Sequence, residues 1–414
     1  MLFRSAALEN DQRWIRVDGI PVRIEAAAPG SIDLSDIAAG IGGFVINGQG
    51  AYDRSGFSVA SAGDVNGDGL ADLFVGAREA GRQSGRSYVV FGKTNTLAVN
   101  LSTIAAGRGG FVIRGQAVAD YSGGSVASAG DVNGDGLVDL IVGAAFSDPA
   151  TGINAGRSYV VFGKTNTVAI DLTAVAAGRG GFVINGQGAA DYCGGSVASA
   201  GDVNGDGLAD LIVGAAAADP ATGISAGCSY VVFGKTSTAA IQLSAVASGS
   251  GGFVIRGETS YDFSGASVAG AGDVNGDGLA DLIVGTLRGD GGQGGSCSYV
   301  IFGKTQTTAV DLALLASTGS GFIIRSEAAT TGSIGSVSGA GDLNGDGLAD
   351  LLIGAYLAKA PAGDGAGASY VVFGKTNTAA VDLCDIAAGS GGFVINGQST
   401  GDYSGRSEIG RAHV

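Results

Sequence analysis

Residues 131–144 read Asp-Val-Asn-Gly-Asp-Gly-Leu-Val-Asp-Leu-Ile-Val-Gly-Ala, an acidic loop that runs directly into a continuous apolar stretch. The string Asp-x-Asn-Gly-Asp-Gly recurs along the chain, and fixed-period self-similarity is the signature of a repeat architecture. Its copies begin at Asp64, Asp131, Asp202, Asp273 and Asp342, at intervals of 67, 71, 71 and 69 residues. A chain built this way repeats one structural unit of about 70 residues.

Two further motifs recur with the same period. The motif Gly-Phe-(Val/Ile)-Ile places its aromatic residue at Phe44, Phe111, Phe182, Phe253, Phe322 and Phe393. The motif Ser-Tyr-Val-(Val/Ile)-Phe-Gly-Lys begins at Ser87, Ser158, Ser229, Ser298 and Ser369. Together the three motifs extend over most of the chain.

Each unit is predicted to form four β-strands. In the second unit these are 125–130, 139–143, 158–162 and 181–184, all short, rich in β-branched or aromatic residues, and bounded by glycine or asparagine. Strands that are apolar throughout, rather than alternating, are covered on both faces of the sheet. The first strand contains only small residues, as the crowded centre of a radial arrangement requires.

The predicted fold is therefore all-β: a β-propeller of four-stranded antiparallel blades. A solenoid would have shorter repeats, and the Gly-Gly-x-Gly-x-Asp pattern of the calcium β-roll is absent. Residues 43–46 are left as a single outer strand. Five complete blades are predicted, at about 57–116, 124–187, 195–257, 266–325 and 335–398.

The acidic loops have the form Asp-x-Asn-x-Asp-Gly-x-x-Asp and are candidate calcium sites. Side-chain oxygens at positions 1, 3, 5 and 9, with a backbone carbonyl at position 7, suit a cation that takes roughly 6–8 oxygen ligands and tolerates irregular geometry. We predict about five Ca²⁺ ions. Their ligands are Asp64, Asn66, Asp68, Leu70 and Asp72; Asp131, Asn133, Asp135, Leu137 and Asp139; Asp202, Asn204, Asp206, Leu208 and Asp210; Asp273, Asn275, Asp277, Leu279 and Asp281; and Asp342, Asn344, Asp346, Leu348 and Asp350.

These loops are not EF-hands, which need a bidentate glutamate at position 12 and flanking helices. Position 12 is instead apolar and expected to be buried: Val75, Val142, Val213, Val284 and Ile353. One alternative stays open, because Asp-Gly and Asn-Gly are favoured hairpin turns without any metal. The metal is expected to be structural, since no open coordination position is evident.

Composition narrows the classes of function. The chain has 78 glycines among its 414 residues. Its net charge of −15 would repel a phosphate backbone, which argues against nucleic acid as a partner. No stretch is long and apolar enough to insert in a membrane. The four cysteines lack metal-ligand spacing, and we interpret them as sporadic substitutions. They are Cys193, Cys228, Cys297 and Cys384.

No catalytic residue is predicted. The single histidine, His413, lies outside the repeats, and neither a nucleophile elbow nor a phosphate-binding loop is present. Pairs of carboxylates could act alone, but the recurring aspartates are assigned to the loops. The connections at the other end of the strands, such as 147–152, show no distinctive aromatic or basic cluster.

The unit resembles the FG-GAP repeat of integrin α-subunits and bacterial surface proteins. Its Phe-Gly tag matches Phe91-Gly92 and the equivalent pairs, and its Gly-Ala tag matches Gly76-Ala77, with no proline following. The resemblance covers about 31–405. It implies a seven-bladed propeller with calcium loops on one face, ligand contacts on the other, and an extracellular role in adhesion. The integrin metal-adhesion motif Asp-x-Ser-x-Ser is absent.

We therefore expect a calcium-stabilised adhesion or ligand-binding module, secreted or on a cell surface, whose partner is a protein or glycan. A structural spacer and an accessory domain of a secreted hydrolase remain alternatives. Residues 1–30 match no repeat and are interpreted as a linker. Residues 406–414 break the repeat and are interpreted as a non-native tail or an ordinary unrelated one; with five complete blades, the chain is expected to be a fragment of a larger ring.

Overall fold

The computed structural model describes residues 13–17, 20–24, 33–287, 296–326 and 335–407. By contact density the chain divides into two compact units, Met1–Asn47 with Thr94–Asn100, and Gly48–Lys93 with Leu101–Val414. The predicted tail lies outside the described residues from position 408 onward. All five blades belong to the second unit.

In the described part of the first unit there are four short strands and one helix. Strands β1 (Arg13–Val17) and β2 (Ile20–Ile24) form an antiparallel hairpin within the segment predicted as a linker. Helix α1 (Leu34–Ala38) begins where Asp33 accepts a hydrogen bond from the Ser35 amide, at 2.8 Å. Strands β3 (Ile46–Asn47) and β7 (Val99–Asn100) pair in parallel. Only the last residue of the predicted outer strand at 43–46 lies in β3.

The described residues of the second unit form five sheets, each with four antiparallel strands. These four strands follow one another in the chain, except that a two-residue strand lies between the third and the fourth. The first, innermost strands are β4 (Ser55–Gly63), β9 (Ser125–Gly130), β14 (Ser196–Gly201), β19 (Ser267–Gly272) and β24 (Ser336–Gly341). The second strands, which follow the acidic loops, are β5 (Asp72–Ala77), β10 (Asp139–Ala144), β15 (Asp210–Ala215), β20 (Asp281–Gly285) and β25 (Asp350–Ala355).

The third and fourth strands complete each blade. The third strands are β6 (Arg86–Val90), β11 (Arg157–Val161), β16 (Cys228–Val232), β21 (Cys297–Ile301) and β26 (Ala368–Val372). The fourth strands are β8 (Gly110–Arg114), β13 (Gly181–Asn185), β18 (Gly252–Arg256), β23 (Gly321–Arg325) and β28 (Gly392–Asn396). This is the predicted all-β propeller of four-stranded antiparallel blades, numbered here 1 to 5 in chain order.

Two features of each blade were not predicted. A two-residue strand from the next blade pairs in parallel with the fourth strand of blades 1 to 4; these are β12 (Ile170–Asp171), β17 (Ile241–Gln242), β22 (Val310–Asp311) and β27 (Val381–Asp382). A short helix then follows. The helices are α2 (Leu101–Ala105), α3 (Leu172–Ala176), α4 (Leu243–Ala247), α5 (Leu315–Thr318, after a 3-10 turn at Leu312–Leu314) and α6 (Leu383–Ala387).

Neighbouring blades pack face against face. At the junction of blades 1 and 2, Phe111 and Ile113 of blade 1 form a buried cluster with Val126, Leu140 and Tyr159 of blade 2. We call the face directed at the following blade the trailing face, represented here by Phe111 and Ile113. The face directed at the preceding blade, represented by Val126 and Leu140, is the leading face. Equivalent clusters fill the other three junctions.

A lysine also spans each junction. The Nζ atom of Lys235 in blade 3 lies 4.4 Å from the centroid of the Phe182 ring in blade 2. The same pairs are Lys164 with Phe111 at 4.2 Å, Lys304 with Phe253 at 4.3 Å, and Lys375 with Phe322 at 4.3 Å. The innermost strands of the five blades line a central cavity of about 560 Å³, bordered mainly by Ala, Ser, Gly and Val.

Candidate functional site

The acidic loops join the first and second strands of every blade, and one carboxylate organises each turn. In blade 2, Asp131 Oδ1 accepts hydrogen bonds from the amides of Gly134 (2.7 Å) and Asp135 (3.1 Å). Its Oδ2 accepts one from the Gly136 amide at 2.8 Å. The loop therefore curls around the side chain at position 1. The equivalent residues Asp64, Asp202, Asp273 and Asp342 accept the same three bonds.

Positions 3 and 5 are held together in the same turn. Asn133 Oδ1 accepts from the Asp135 amide at 2.8 Å, and Asn133 Nδ2 donates to Asp135 Oδ2 at 3.0 Å. Asp135 Oδ1 also accepts from the amide of Leu137, at 2.9 Å. Asp135 is exposed to solvent, and Asn133 is half-buried. The outer oxygens of the loop are thus oriented by the backbone while remaining accessible to an ion.

The aspartate at position 9 joins two parts of its blade by hydrogen bonds that the sequence did not predict. Asp139 is fully buried, and its Oδ2 accepts from the Val132 amide at 3.0 Å. Its Oδ1 accepts from the amide of Gly163, at 2.8 Å, in the Phe-Gly turn after the third strand. The carboxylate therefore ties the loop to the turn that follows the third strand of its own blade. Asp72, Asp210, Asp281 and Asp350 make the same two bonds.

Burial makes this carboxylate costly to ionise. Loss of hydration raises the pKa of Asp139 to about 7, against the opposing effect of its two backbone hydrogen bonds. The neighbouring carboxylates Asp135 and Asp131 raise the pKa further. Asp210 and Asp281 have pKa values raised to about 7 for the same reasons. A cation in the loop would favour the ionised forms.

The predicted ligands of each loop have the chemistry that a hard cation binds. The side-chain donors at positions 1, 3, 5 and 9 are all carboxylate or amide oxygens, and an oxygen that accepts one N–H bond keeps a lone pair. Across 33–287, 296–326 and 335–407, however, no three Asp, Glu, His or Cys side chains are gathered closely enough to hold an ion by themselves. The asparagine and the carbonyl of Leu137 would have to complete the set. The 25 predicted ligands thus stay a prediction.

The opposite end of the strands carries a row of aromatic side chains. Tyr121 precedes the first strand of blade 2, Phe146 follows its second strand, and Tyr192 precedes the first strand of blade 3. The Phe146 ring lies 5.3 Å from each tyrosine ring, in edge-to-face contact. Arg78 extends the row, because its guanidinium lies 4.0 Å from the Phe57 ring and 5.8 Å from that of Tyr121. The expectation of no aromatic cluster at this end is wrong.

Two members of this aromatic row are held in strained backbone. Tyr121 and Tyr192 have φ values of 50° and 54°, in the left-handed region that non-glycine residues rarely adopt. The Tyr121 amide donates to the Gln83 carbonyl of the preceding blade at 2.9 Å, and the Tyr192 amide donates to Asn154 at 3.1 Å. Strain of this kind costs on the order of 1–3 kcal/mol and is concentrated at functional sites. Phe146 itself is exposed.

The cysteines belong to neither feature, although Cys193 directly follows Tyr192 in the chain. Cys193, Cys228 and Cys297 are buried, and burial raises the pKa of the Cys193 and Cys228 thiols to about 12. A thiol with such a pKa is a poor nucleophile at neutral pH. Within the part of the chain that is described, no helix combines the length and apolar character needed to span a bilayer.

Comparison with known proteins identifies the repeat. The FG-GAP repeat matches five segments, 55–90, 122–161, 194–231, 264–300 and 334–372. Similar sequences include chicken integrin alpha-V, 32% identical over 247 residues, which are 57% of this chain and 20% of that protein. Integrin alpha pat-2 of Caenorhabditis briggsae is 28% identical over 247 residues (57% and 18%), and Drosophila integrin alpha-PS2 is 32% identical over 164 (39% and 10%).

Each matched segment runs from the start of a blade's first strand, or its lead-in, to the end of the third strand or within a residue or two of it. The chain is therefore a β-propeller built from five FG-GAP repeats, and it is similar in sequence to integrin α-subunits. It spans about a fifth or less of the length of these relatives.

Proposed function

We propose that this chain is a calcium-stabilised, non-enzymatic module for adhesion or ligand binding outside the cell. The observation that carries the proposal is the fivefold repetition of one loop geometry, with three aspartates and an asparagine fixed by the same backbone bonds each time. The similarity to proteins named as integrin α-subunits supports the binding role. A protein or glycan would contact the end of the strands opposite the acidic loops.

Calcium would reduce the repulsion among the carboxylates of each acidic loop. Each loop places three carboxylates within one turn, and like charges so close destabilise the folded chain. Five Ca²⁺ ions carry ten positive charges and would reduce the net charge from −15 to −5. Extracellular calcium modules typically bind with dissociation constants of about 10⁻⁴–10⁻³ M, which suits the calcium concentration outside cells. This supports an extracellular or cell-surface location.

The aromatic row is the best candidate for the ligand surface. Tyr121, Phe146 and Tyr192 combine apolar area with hydroxyl groups, the composition that recurs at protein and glycan interfaces. Phe146 is 42% exposed, and the half-buried Tyr121 and Tyr192 flank it in left-handed backbone. The contact between the Phe146 and Tyr192 rings crosses the junction of blades 2 and 3, which gives the surface a fixed shape.

Calorimetry with CaCl2 tests the metal directly. We expect binding at millimolar or lower concentration, a stoichiometry near five, and a higher melting temperature with calcium than with EDTA. MgCl2 should bind more weakly, because magnesium demands a stricter octahedron. Asp206→Ala in blade 3 should remove one site, whereas Asp364→Ala, at an exposed surface ion pair, should remove none. No heat of binding and no thermal shift at 10 mM CaCl2 would refute the metal proposal.

Adhesion assays test the ligand surface. A glycan array and a cell-binding assay with the calcium-loaded chain should give signals that Phe146→Ala and Tyr192→Ala reduce together. Val168→Ala, which truncates an exposed apolar residue beyond the third strand, is the matched control. Binding that neither aromatic variant changes would contradict the assignment. Absence of any ligand with calcium binding intact would favour the alternative of a structural spacer or an accessory domain of a hydrolase.

A further inference from the structure

Phe146 fills a gap between aromatic residues of two neighbouring blades. Tyr121 and Tyr192 occupy equivalent positions of the repeat, 71 residues apart, just before the first strands of blades 2 and 3. The Phe146 ring contacts both tyrosine rings edge to face, with centroids 5.3 Å apart in each pair. A single phenylalanine side chain therefore has the size that bridges two such positions.

Blade 3 repeats this arrangement with an alanine in place of the phenylalanine. The position just before the first strand is Tyr192 in blade 3 and Phe263 in blade 4, with φ values of 54° and 53°. The amides of both residues donate to a carbonyl of the preceding blade, at 3.1 Å in each case. The residue equivalent to Phe146 is Ala217. The two flanking positions are therefore kept, and the side chain that would fill the space between them is missing.

The connection that carries Ala217 has the same conformation as the one that carries Phe146. In both, a threonine hydroxyl donates to the carbonyl after the fourth strand, and an aspartate accepts the amide six residues later, all at 2.7 Å. These residues are Thr151 and Asp148 in blade 2, and Thr222 and Asp219 in blade 3. The alanine therefore leaves a gap on an unchanged backbone.

The gap at the junction of blades 3 and 4 is open to solvent. Tyr192, Ala217 and Phe263 are all half-buried, so part of each side chain can be reached from outside. Among the residues that the structure describes, no aromatic ring contacts that of Phe263, and the ring of Tyr192 contacts only that of Phe146. We call the space bounded by Tyr192, Ala217 and Phe263 the aromatic slot.

We propose that the aromatic slot receives a phenylalanine or other aromatic side chain of a protein partner. This role rests on the proposed function, because the slot adjoins the aromatic row at Tyr192. Phe146 shows the fit, since the chain itself places a phenylalanine ring in the equivalent gap of blade 2. Edge-to-face contacts and a large apolar area make aromatic side chains frequent anchors of protein interfaces. The methyl group of Ala217 offers no hydrogen bond to a sugar hydroxyl, which favours a protein over a glycan.

Titration of the whole calcium-loaded chain with N-acetyl-phenylalanine methylamide, followed by NMR, tests the slot. We expect saturable binding, and N-acetyl-leucine methylamide should bind about fivefold more weakly because it lacks the ring contacts. Ala217→Phe fills the slot with a ring of the chain itself and should raise the dissociation constant of the phenylalanine compound by about tenfold or more. Ala240→Phe is the matched control, because it adds the same side chain at an exposed position beyond the third strand of blade 3. Circular dichroism confirms that both variants are folded.

The reverse substitution tests the same fit in blade 2. Phe146→Ala empties the gap between Tyr121 and Tyr192, so a second molecule of the phenylalanine compound should bind. A misfolded variant could not produce this gain.

None of these measurements depends on calcium titration or on cell adhesion, so the slot and the proposed function can each fail while the other stands. Absence of binding to the unmodified chain would overturn the slot, as would binding that Ala217→Phe leaves unchanged or equal binding of the leucine compound. Binding of methyl glucoside in place of the phenylalanine compound would also overturn it, because that result assigns the slot to a glycan.

Discussion

At the scale of single residues, we expect the aspartate at loop position 9 to stabilise the blade more than the exposed aspartate at position 5 does. Asp139→Ala would leave the buried amide of Val132 and the half-buried amide of Gly163 without their acceptor. An unsatisfied buried group costs about 1–3 kcal/mol, so we expect a fall of several degrees in the melting temperature, in EDTA as in calcium. Asp135→Ala, at an exposed position, should be nearly neutral in EDTA. Equal losses for the two variants in EDTA would contradict the structural role.

Glycines at close backbone approaches give a second residue-scale prediction. Gly227 has φ of 82°, and a Cβ placed there would lie 2.2 Å from the Ser264 carbonyl oxygen, so the strand would have to move. Gly251 has φ of 69° with no atom within 4 Å of the same position. Gly251→Ala should therefore cost only about 1 kcal/mol of backbone strain. Gly227→Ala should cost clearly more, as thermal denaturation of the two variants will measure.

At the scale of elements, the lysine over each phenylalanine ring links neighbouring blades. Lys235→Met keeps much of the apolar stem but removes the charge that lies over Phe182. A cation–π contact contributes about 0.5–1 kcal/mol at partly exposed sites, so the melting temperature should fall slightly. Lys359→Met is the control, because its ion pair with Asp364 is exposed and contributes little. A larger effect at Lys359 than at Lys235 would contradict this view of the junction.

The elements also show where sequence reasoning succeeds and where it stops. The strand that follows Asp139 was predictable because five consecutive apolar or small residues require cover on both faces. The helix Leu172–Ala176 was not, since a five-residue helix that buries only Leu172 and Val175 shows no period. The contact between Asp139 and Gly163 spans 24 residues. Only the return of the third strand brings these two positions together.

The same limit explains the missed aromatic row. Tyr121, Phe146 and Tyr192 stand in three separate connections, each unremarkable by itself in the sequence. Tyr121 and Phe146 lie at the same end of blade 2 because its first and second strands are antiparallel. The packing of blade 3 on blade 2 then adds Tyr192. The acidic loops were visible from the sequence because all their residues are local. The aromatic row could not be seen in the sequence, because its residues come together only when the blades pack.

At the scale of the whole molecule, stability should vary along the array because each blade packs only on its neighbours. Blade 3 is covered on both faces, whereas the trailing face of blade 5 leaves Phe393 and Ile395 exposed. In hydrogen exchange at low protein concentration, peptides covering Cys228–Val232 should therefore exchange more slowly than those covering Ala368–Val372. Uniform exchange in the two blades would show instead that the blades open as one cooperative unit.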